Sequence, residues 1–114
     1  MKKETKQKKL AMEAALMIVI SKPEDFKYLT VGWIARKLGV SVPNLSRAFK
    51  REIGKTLQKY LFQQRIIKSI ILLLENPNLS IKELAEIIDY SSSSYFIKVF
   101  KKFCNYSPKK FRDS

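Results

Sequence analysis

One helical pattern occurs twice in this chain, fifty residues apart. Leu29 to Ser41 is matched position by position by Leu79 to Ser91, with Thr30 against Ser80, Ala35 against Ala85 and Gly39 against Asp89. Past that point the offset becomes fifty-one: Leu45 pairs with Phe96, Phe49 with Phe100, Lys50 with Lys101 and Gly54 with Asn105. The exit repeats as well, Thr56 and Tyr60 matching Ser107 and Phe111. A single duplication is too few units for a solenoid. The pattern therefore predicts two small helical subdomains sharing one connecting helix.

Local chemistry places the helix boundaries. Thr30 and Ser80 are expected N-caps, because a hydroxyl there accepts from an otherwise unpaired first-turn N–H. Ser80 with Glu83 forms a full capping box, whereas Thr30 with Trp33 does not. Short helices then end near Gly39 and Asp89. The next helices start at Ser41, with Pro43 close behind, and at Ser91 or Ser92; they run to about Ile53 and Cys104. A chain that reverses within a few residues needs one residue with left-handed backbone, where a Cβ usually costs energy. Gly39 and Gly54 fit that need, and Asp89 and Asn105 are among the side-chain-bearing residues that adopt positive φ most readily.

The remaining segments read as follows. Residues 1–9 are a basic arm, expected to be flexible and solvated at the terminus, with contact to phosphates as the alternative. Residues 10–55 form the first subdomain, entered by a helix with Leu10, Ala14, Met17 and Ile18 at helical spacing. Ser21 to Asp25 breaks that helix. Residues 56–75 form the connector, with Leu57, Tyr60, Leu61, Ile67, Ile70, Ile71 and Leu74 as its expected buried stripe. Residues 76–114 form the second subdomain. Trp33 and Phe49 are expected in the core, and Arg65 as a structural hydrogen-bonding residue.

Composition narrows the function. The 114 residues hold 23 Lys and Arg against 10 Asp and Glu, a net charge of +13. A field of that strength on a small body favours polyanionic partners. There is no histidine and only one cysteine, Cys104, so the usual zinc spacings and Ser-His or Cys-His pairs cannot be assembled. No catalytic residue, metal or cofactor is expected. A lone cysteine also suits a reducing cytoplasm, where Cys104 serves as a small buried hydrophobe. Neither Leu16 to Ile20 nor Ile70 to Leu74 approaches a membrane span, and residues 1–9 lack the apolar sequel of a secretory signal.

With both copies laid out, the chain resembles the DNA-binding domain of the AraC/XylS family of bacterial transcription regulators. In the first unit the resemblance rests on Ile34-Ala35, Leu38-Gly39, Ser41, Leu45-Ser46-Arg47, Phe49-Lys50 and Gly54. The connector contributes Tyr60, Arg65 and Leu73. The second unit contributes Ile81, Leu84-Ala85, Tyr90, Ser94-Tyr95-Phe96, Val99-Phe100-Lys101-Lys102, Ser107-Pro108 and Phe111-Arg112. The last of these segments is the family's most specific signature. Asp89 and Asn105 depart from the glycine usual in the family, and Lys98 stands where Arg is frequent.

The resemblance implies an all-α fold of about seven helices, with two homeodomain-like helix-turn-helix subdomains joined by the connector. It implies that each unit lays its second helix in a DNA major groove. Held together, the two would read successive grooves about 34 Å apart, giving a monomer an asymmetric site of roughly 20 bp. Candidate base readers are Asn44, Ser46 and Arg47 in the first unit and Ser93, Ser94, Ile97 and Lys98 in the second. Arg47 has the planar fork that pairs with guanine O6 and N7, Ile97 suits a thymine methyl, and serines discriminate poorly. An exposed ion pair with Glu52 is the alternative role for Arg47. The first unit is thus expected to carry most base specificity. Lys50, Arg51, Lys55, Lys101, Lys102, Lys109 and Lys110 are candidate phosphate contacts.

The expected function is sequence-specific binding of a double-stranded DNA operator, regulating transcription, with activation as the expected sign and RNA polymerase as a second partner. Family members carry this unit alone or behind a separate effector-binding or dimerising domain. A non-specific basic nucleic-acid binder is the main alternative, but it would need stacking aromatics on an open surface. An enzyme would need residues this chain lacks. A partner-protein module using the connector helix is compatible with DNA binding.

Overall fold

The computed structural model describes residues 2–114, and Met1 lies outside the described residues. Among them are seven α-helices, one short 3-10 helix and no strand. The helices are α1 (Lys2–Ile20), α2 (Val31–Lys37), α3 (Val42–Ile53), α4 (Leu57–Glu75), α5 (Ile81–Ile87), α6 (Ser93–Cys104) and α7 (Pro108–Asp113), with the 3-10 helix at Pro23–Tyr28. None of the described helices is long and apolar enough to cross a membrane. The chain divides into two compact units. One comprises residues through Ser21 together with Tyr28–Gln64; the other comprises Lys22–Lys27 together with Arg65–Ser114. The segment expected as a separate connector is thus divided at Gln64, each part belonging to one core.

The repeat holds hydrogen bond by hydrogen bond. Thr30 caps α2 by accepting from Trp33 N, and Ser80 and Glu83 make the expected capping box on α5. Val40 N donates to Ala35 O at 3.0 Å, as Tyr90 N does to Ala85 O at 2.9 Å. Gly54 N donates to Lys50 O and Asn105 N to Lys101 O, closing α3 and α6 alike. Gly39 and Gly54 have φ of 68° and 84°, and Asp89 and Asn105 have φ of 64° and 66°. Ser41 and Ser92 are the caps of α3 and α6, so the second turn is longer by one residue. That extra residue is the change of offset from fifty to fifty-one.

The cores match too. Ile34, Ala35, Leu45, Ala48 and Phe49 are buried in the first unit, as are their partners Leu84, Ala85, Phe96, Val99 and Phe100 in the second. Phe49 meets Tyr60 with ring centroids 5.2 Å apart, and Phe100 meets Phe111 at 6.0 Å. Thr56 and Ser107 cap the helices that bring those second rings in. Aromatic pairs of this kind add about 0.5–1.5 kcal/mol to the burial itself.

The repeat also extends further toward the amino terminus than the sequence comparison reached. A shift of fifty-five residues places Ala11, Ala14 and Ile18 of α1 on Ile66, Ser69 and Leu73 of α4, and all six are buried. It places the last residue of α1 on the last residue of α4. The new offset arises because the first unit's α1–α2 connection contains the 3-10 helix. Small residues at 11 and 14 let α1 pack closely on α3, whereas Ile66 and Leu72 join a bulkier cluster with Leu84, Ile88 and Phe96.

Helix α1 begins at Lys2, within residues 1–9. Three expectations need correction. The connector's stripe does not keep one phase: Leu57 and Leu61 are buried, but Ile67 and Leu74 are exposed, and Ile66, Ser69, Leu72 and Leu73 are buried instead. A helix serving two cores need not present the same face at both ends. Arg65 stacks rather than hydrogen-bonds: its guanidinium lies 5.7 Å from the ring of Phe26 and 5.7 Å from that of Tyr90, and its Nε has no hydrogen-bond partner. Trp33 is half-buried, with Lys37 Nζ 5.4 Å from its ring.

Two measurements test this account. A Cβ at Gly39 would meet nothing within 4 Å, so Gly39→Ala is expected to cost about 1–2 kcal/mol through backbone strain alone. Asp89→Gly, at the matched position, is expected to stabilise by a fraction of that, read as a higher urea midpoint. Burial pushes the Tyr90 hydroxyl from 10.0 to about 12, partly offset by Arg65. A raised tyrosine pKa means the folded state holds the proton more tightly. Tyr90's stabilisation is therefore intact below pH 10 and lost as pH climbs toward 12. Ultraviolet titration should show a late-ionising tyrosine that Tyr90→Phe removes.

Candidate nucleic-acid interface

α3 and α6 are the second helices of the two helix-turn-helix units. Each has one apolar face fixed by the core: Leu45, Ala48 and Phe49 in α3, Phe96, Val99 and Phe100 in α6. Their polar faces are therefore directed outward. On α6, Ser94, Ile97, Lys98 and Lys101 are all exposed, spaced so that they fall on one side of the helix. The matched positions on α3 are Pro43, Ser46, Arg47 and Lys50; Ser46 is half-buried and the others are exposed. The same stripe is presented twice, with different chemistry on each copy.

Most of the expected base readers lie on these stripes. Ser46 and Arg47 do so on α3, and Ser94, Ile97 and Lys98 on α6. Ser93 is half-buried at the first residue of α6, to one side of the stripe. Ser92 uses its hydroxyl to cap the helix, accepting from Tyr95 N at 3.1 Å. Asn44 also lies beside its stripe. Its counterpart Tyr95 packs against Tyr90, with centroids 5.9 Å apart. Asn44 instead accepts a hydrogen bond from Arg47 Nη2 through its Oδ1. Arg47 is thus held by Asn44 and not by Glu52, because residues three apart on a helix are neighbours. Pro43 stands in the first turn of α3, at the position matched by Ser94.

The expected phosphate contacts divide into two groups. Lys50, Arg51, Lys101 and Lys102 are exposed on α3 and α6 at matched positions. Lys55 follows α3 and donates to Gln63 Oε1 at 2.9 Å. Lys109 and Lys110 begin α7, where Lys110 Nζ stands 5.3 Å from the Tyr106 ring. Helix α1 also reaches this region: its Gln7 Oε1 accepts from Arg51 Nη1 at 3.2 Å. Cys104 is half-buried against the second core, and burial raises its thiol pKa.

Comparison with known proteins agrees with this geometry. A family of helix-turn-helix domains matches residues 34–114. The chain is 38% identical over 84 residues to the xylose operon regulatory protein of Haemophilus influenzae, a match covering 74% of this chain and 21% of that one. It is 35% identical over 86 residues to a probable transcription factor, PqrA, of Proteus vulgaris, covering 75% and 70%. The chain therefore spans about a fifth of the length of the xylose operon regulators, but most of the shorter relative. Among solved structures it is similar to a transcriptional regulator from Chromobacterium violaceum described as AraC-type, with a TM-score of 0.77 and 26% identity, covering 91% of this chain and 89% of that one. Two matched helix-turn-helix units, a family match over most of the chain and relatives that are transcription regulators lead to one conclusion: the chain belongs to the AraC/XylS family of DNA-binding transcription regulators.

Proposed function

We propose that this chain reads an asymmetric operator with two unlike helices, α3 and α6, each inserted in a major groove of double-stranded DNA. The observation that carries this reading is the doubled stripe, Pro43, Ser46, Arg47 and Lys50 against Ser94, Ile97, Lys98 and Lys101. One chain supplies both reading helices, so a single copy is sufficient and no palindrome is required. Successive grooves on one side of the duplex are the natural targets of two units in one short chain.

The two stripes have different recognition chemistry. Arg47 presents a planar fork to guanine, and each good bidentate pair is worth about 1–3 kcal/mol of discrimination. Asn44 restrains the fork and leaves other N–H groups free to donate. In the second stripe Ser94 donates or accepts indifferently, Ile97 offers a methyl contact to thymine, and Lys98 supplies a point charge. Specificity is therefore concentrated in the first unit, with the second contributing affinity and sensitivity to DNA shape. Lys50, Arg51, Lys101 and Lys102 neutralise phosphates along both helices. Bound in this way in the bacterial cytoplasm, the chain would regulate transcription, with RNA polymerase contact as the route to activation.

Selection from a randomised duplex library at about 150 mM salt tests the reading. The expected motif has two blocks one helical turn apart, about 10–10.5 bp between centres. Arg47→Ala should erase the preference at one base position in the first block, a loss of roughly tenfold to a hundredfold. Lys98→Ala should weaken all sequences more evenly. A larger change of preference from Lys98→Ala than from Arg47→Ala would reverse the ranking of the two units, and recovery of no motif would sink the reading.

A further inference from the structure

The amino-terminal part of α1 brings a second set of polar and charged side chains to the edge of α3. Close packing makes this possible, since Ala11 and Ala14 are fully buried and place almost no bulk between α1 and its neighbour. Two contacts follow from that approach. Gln7 Oε1 accepts from Arg51 Nη1 at 3.2 Å. Beside this pair, Lys6, Gln7 and Leu10 of α1 face Asn44, Arg47 and Ala48 of α3 across an open recess of about 330 Å³. Two cations, Lys6 and Arg47, border the recess, and among the residues whose side chains are described no carboxylate lines it. Shifted by fifty-five residues, Lys6 and Gln7 fall on Leu61 and Phe62, so the polar pair is not repeated in the sequence of α4.

We propose that the first turns of α1 belong to the DNA interface: Lys6, together with Arg51 braced by Gln7, holds a backbone phosphate beside the base pair that Arg47 reads. The inference rests on the groove reading assigned to Arg47. A phosphodiester oxygen is the anion that always flanks a base edge, and a flexible ammonium beside a guanidinium suits it as a point-charge partner. Such a contact fixes register and contributes no base information of its own. It also ties the amino-terminal helix to the recognition helix of the first unit, so that DNA binding orders both. Lys8, also exposed, lies about 200° around α1 from Lys6 and points away from the recess, which makes it a natural control.

The test is the salt dependence of binding to the operator selected by the wild-type chain, measured for the full chain and for Lys6→Ala and Lys8→Ala. Loss of one phosphate contact lowers the slope of log affinity against log salt by about 0.9. Between 50 and 200 mM salt, wild-type affinity should thus fall about threefold more than that of Lys6→Ala. Base preferences should be unchanged in Lys6→Ala, and Lys8→Ala should keep the wild-type slope. A wild-type slope in Lys6→Ala overturns the inference alone, as does an equal fall in both variants, which would mean a general field and no seated phosphate. A wild-type chain that selects no motif overturns the reading of Arg47 and this inference with it.

Discussion

The reversal between paired helices is the constraint on which the rest depends. In each unit one residue with left-handed backbone, Gly39 or Asp89, turns the chain, and the next N–H returns to the carbonyl of Ala35 or Ala85. The cap of the second helix follows within two residues of that bond, at Ser41 or Ser92. Once the start is fixed, the core decides the rotation of the helix, because Leu45, Ala48 and Phe49, or Phe96, Val99 and Phe100, must all be inside. The outward stripe is then determined without any interaction of its own. A surface that must be free to meet a ligand is thus oriented mainly by residues buried beneath it.

Duplication of the scaffold leaves the two surfaces free to differ. The buried positions are apolar in both copies, even where size changes as from Ala48 to Val99 or Leu45 to Phe96, while the outward stripe pairs Arg47 with Lys98, Ser46 with Ile97 and Pro43 with Ser94. Core positions must keep their apolar patterning and a total volume that still packs, whereas exposed positions carry no such penalty. A rigid guanidinium in one unit and a mobile ammonium in the other are unequal instruments for reading bases. The asymmetry in recognition thus has its origin in positions that the fold does not constrain.

Unequal packing around the matched cores adds a second asymmetry. Alanines at 11 and 14 bring α1 against α3, so the first recognition helix has a flanking helix whose side chains reach it. In the second unit, bulkier residues and the stacked Phe26, Arg65 and Tyr90 occupy the corresponding surroundings. Arg65 there is a cation between rings, a role in which its charge supports packing. The 3-10 helix that carries Phe26 also accounts for the offset that hides the relation between α1 and the end of α4.

The sequence by itself determined the duplicated architecture, the caps, the left-handed turn residues and most of both outward stripes. These are local properties: a hydroxyl before a helix, a glycine or its nearest substitute at a reversal, an apolar face of period 3.6. What only the tertiary structure decided depends on neighbours distant in the chain. The connector's buried face slipped phase because its two halves answer to different cores. Asn44 accepts from Arg47, a pairing that its spacing from the cap did not single out. The helical start of α1, with Lys6 and Gln7 beside α3, carries no apolar signal of its own and becomes visible only once Ala11 and Ala14 have docked. Periodicity reports which face a helix hides, but the residue it hides against is set by packing.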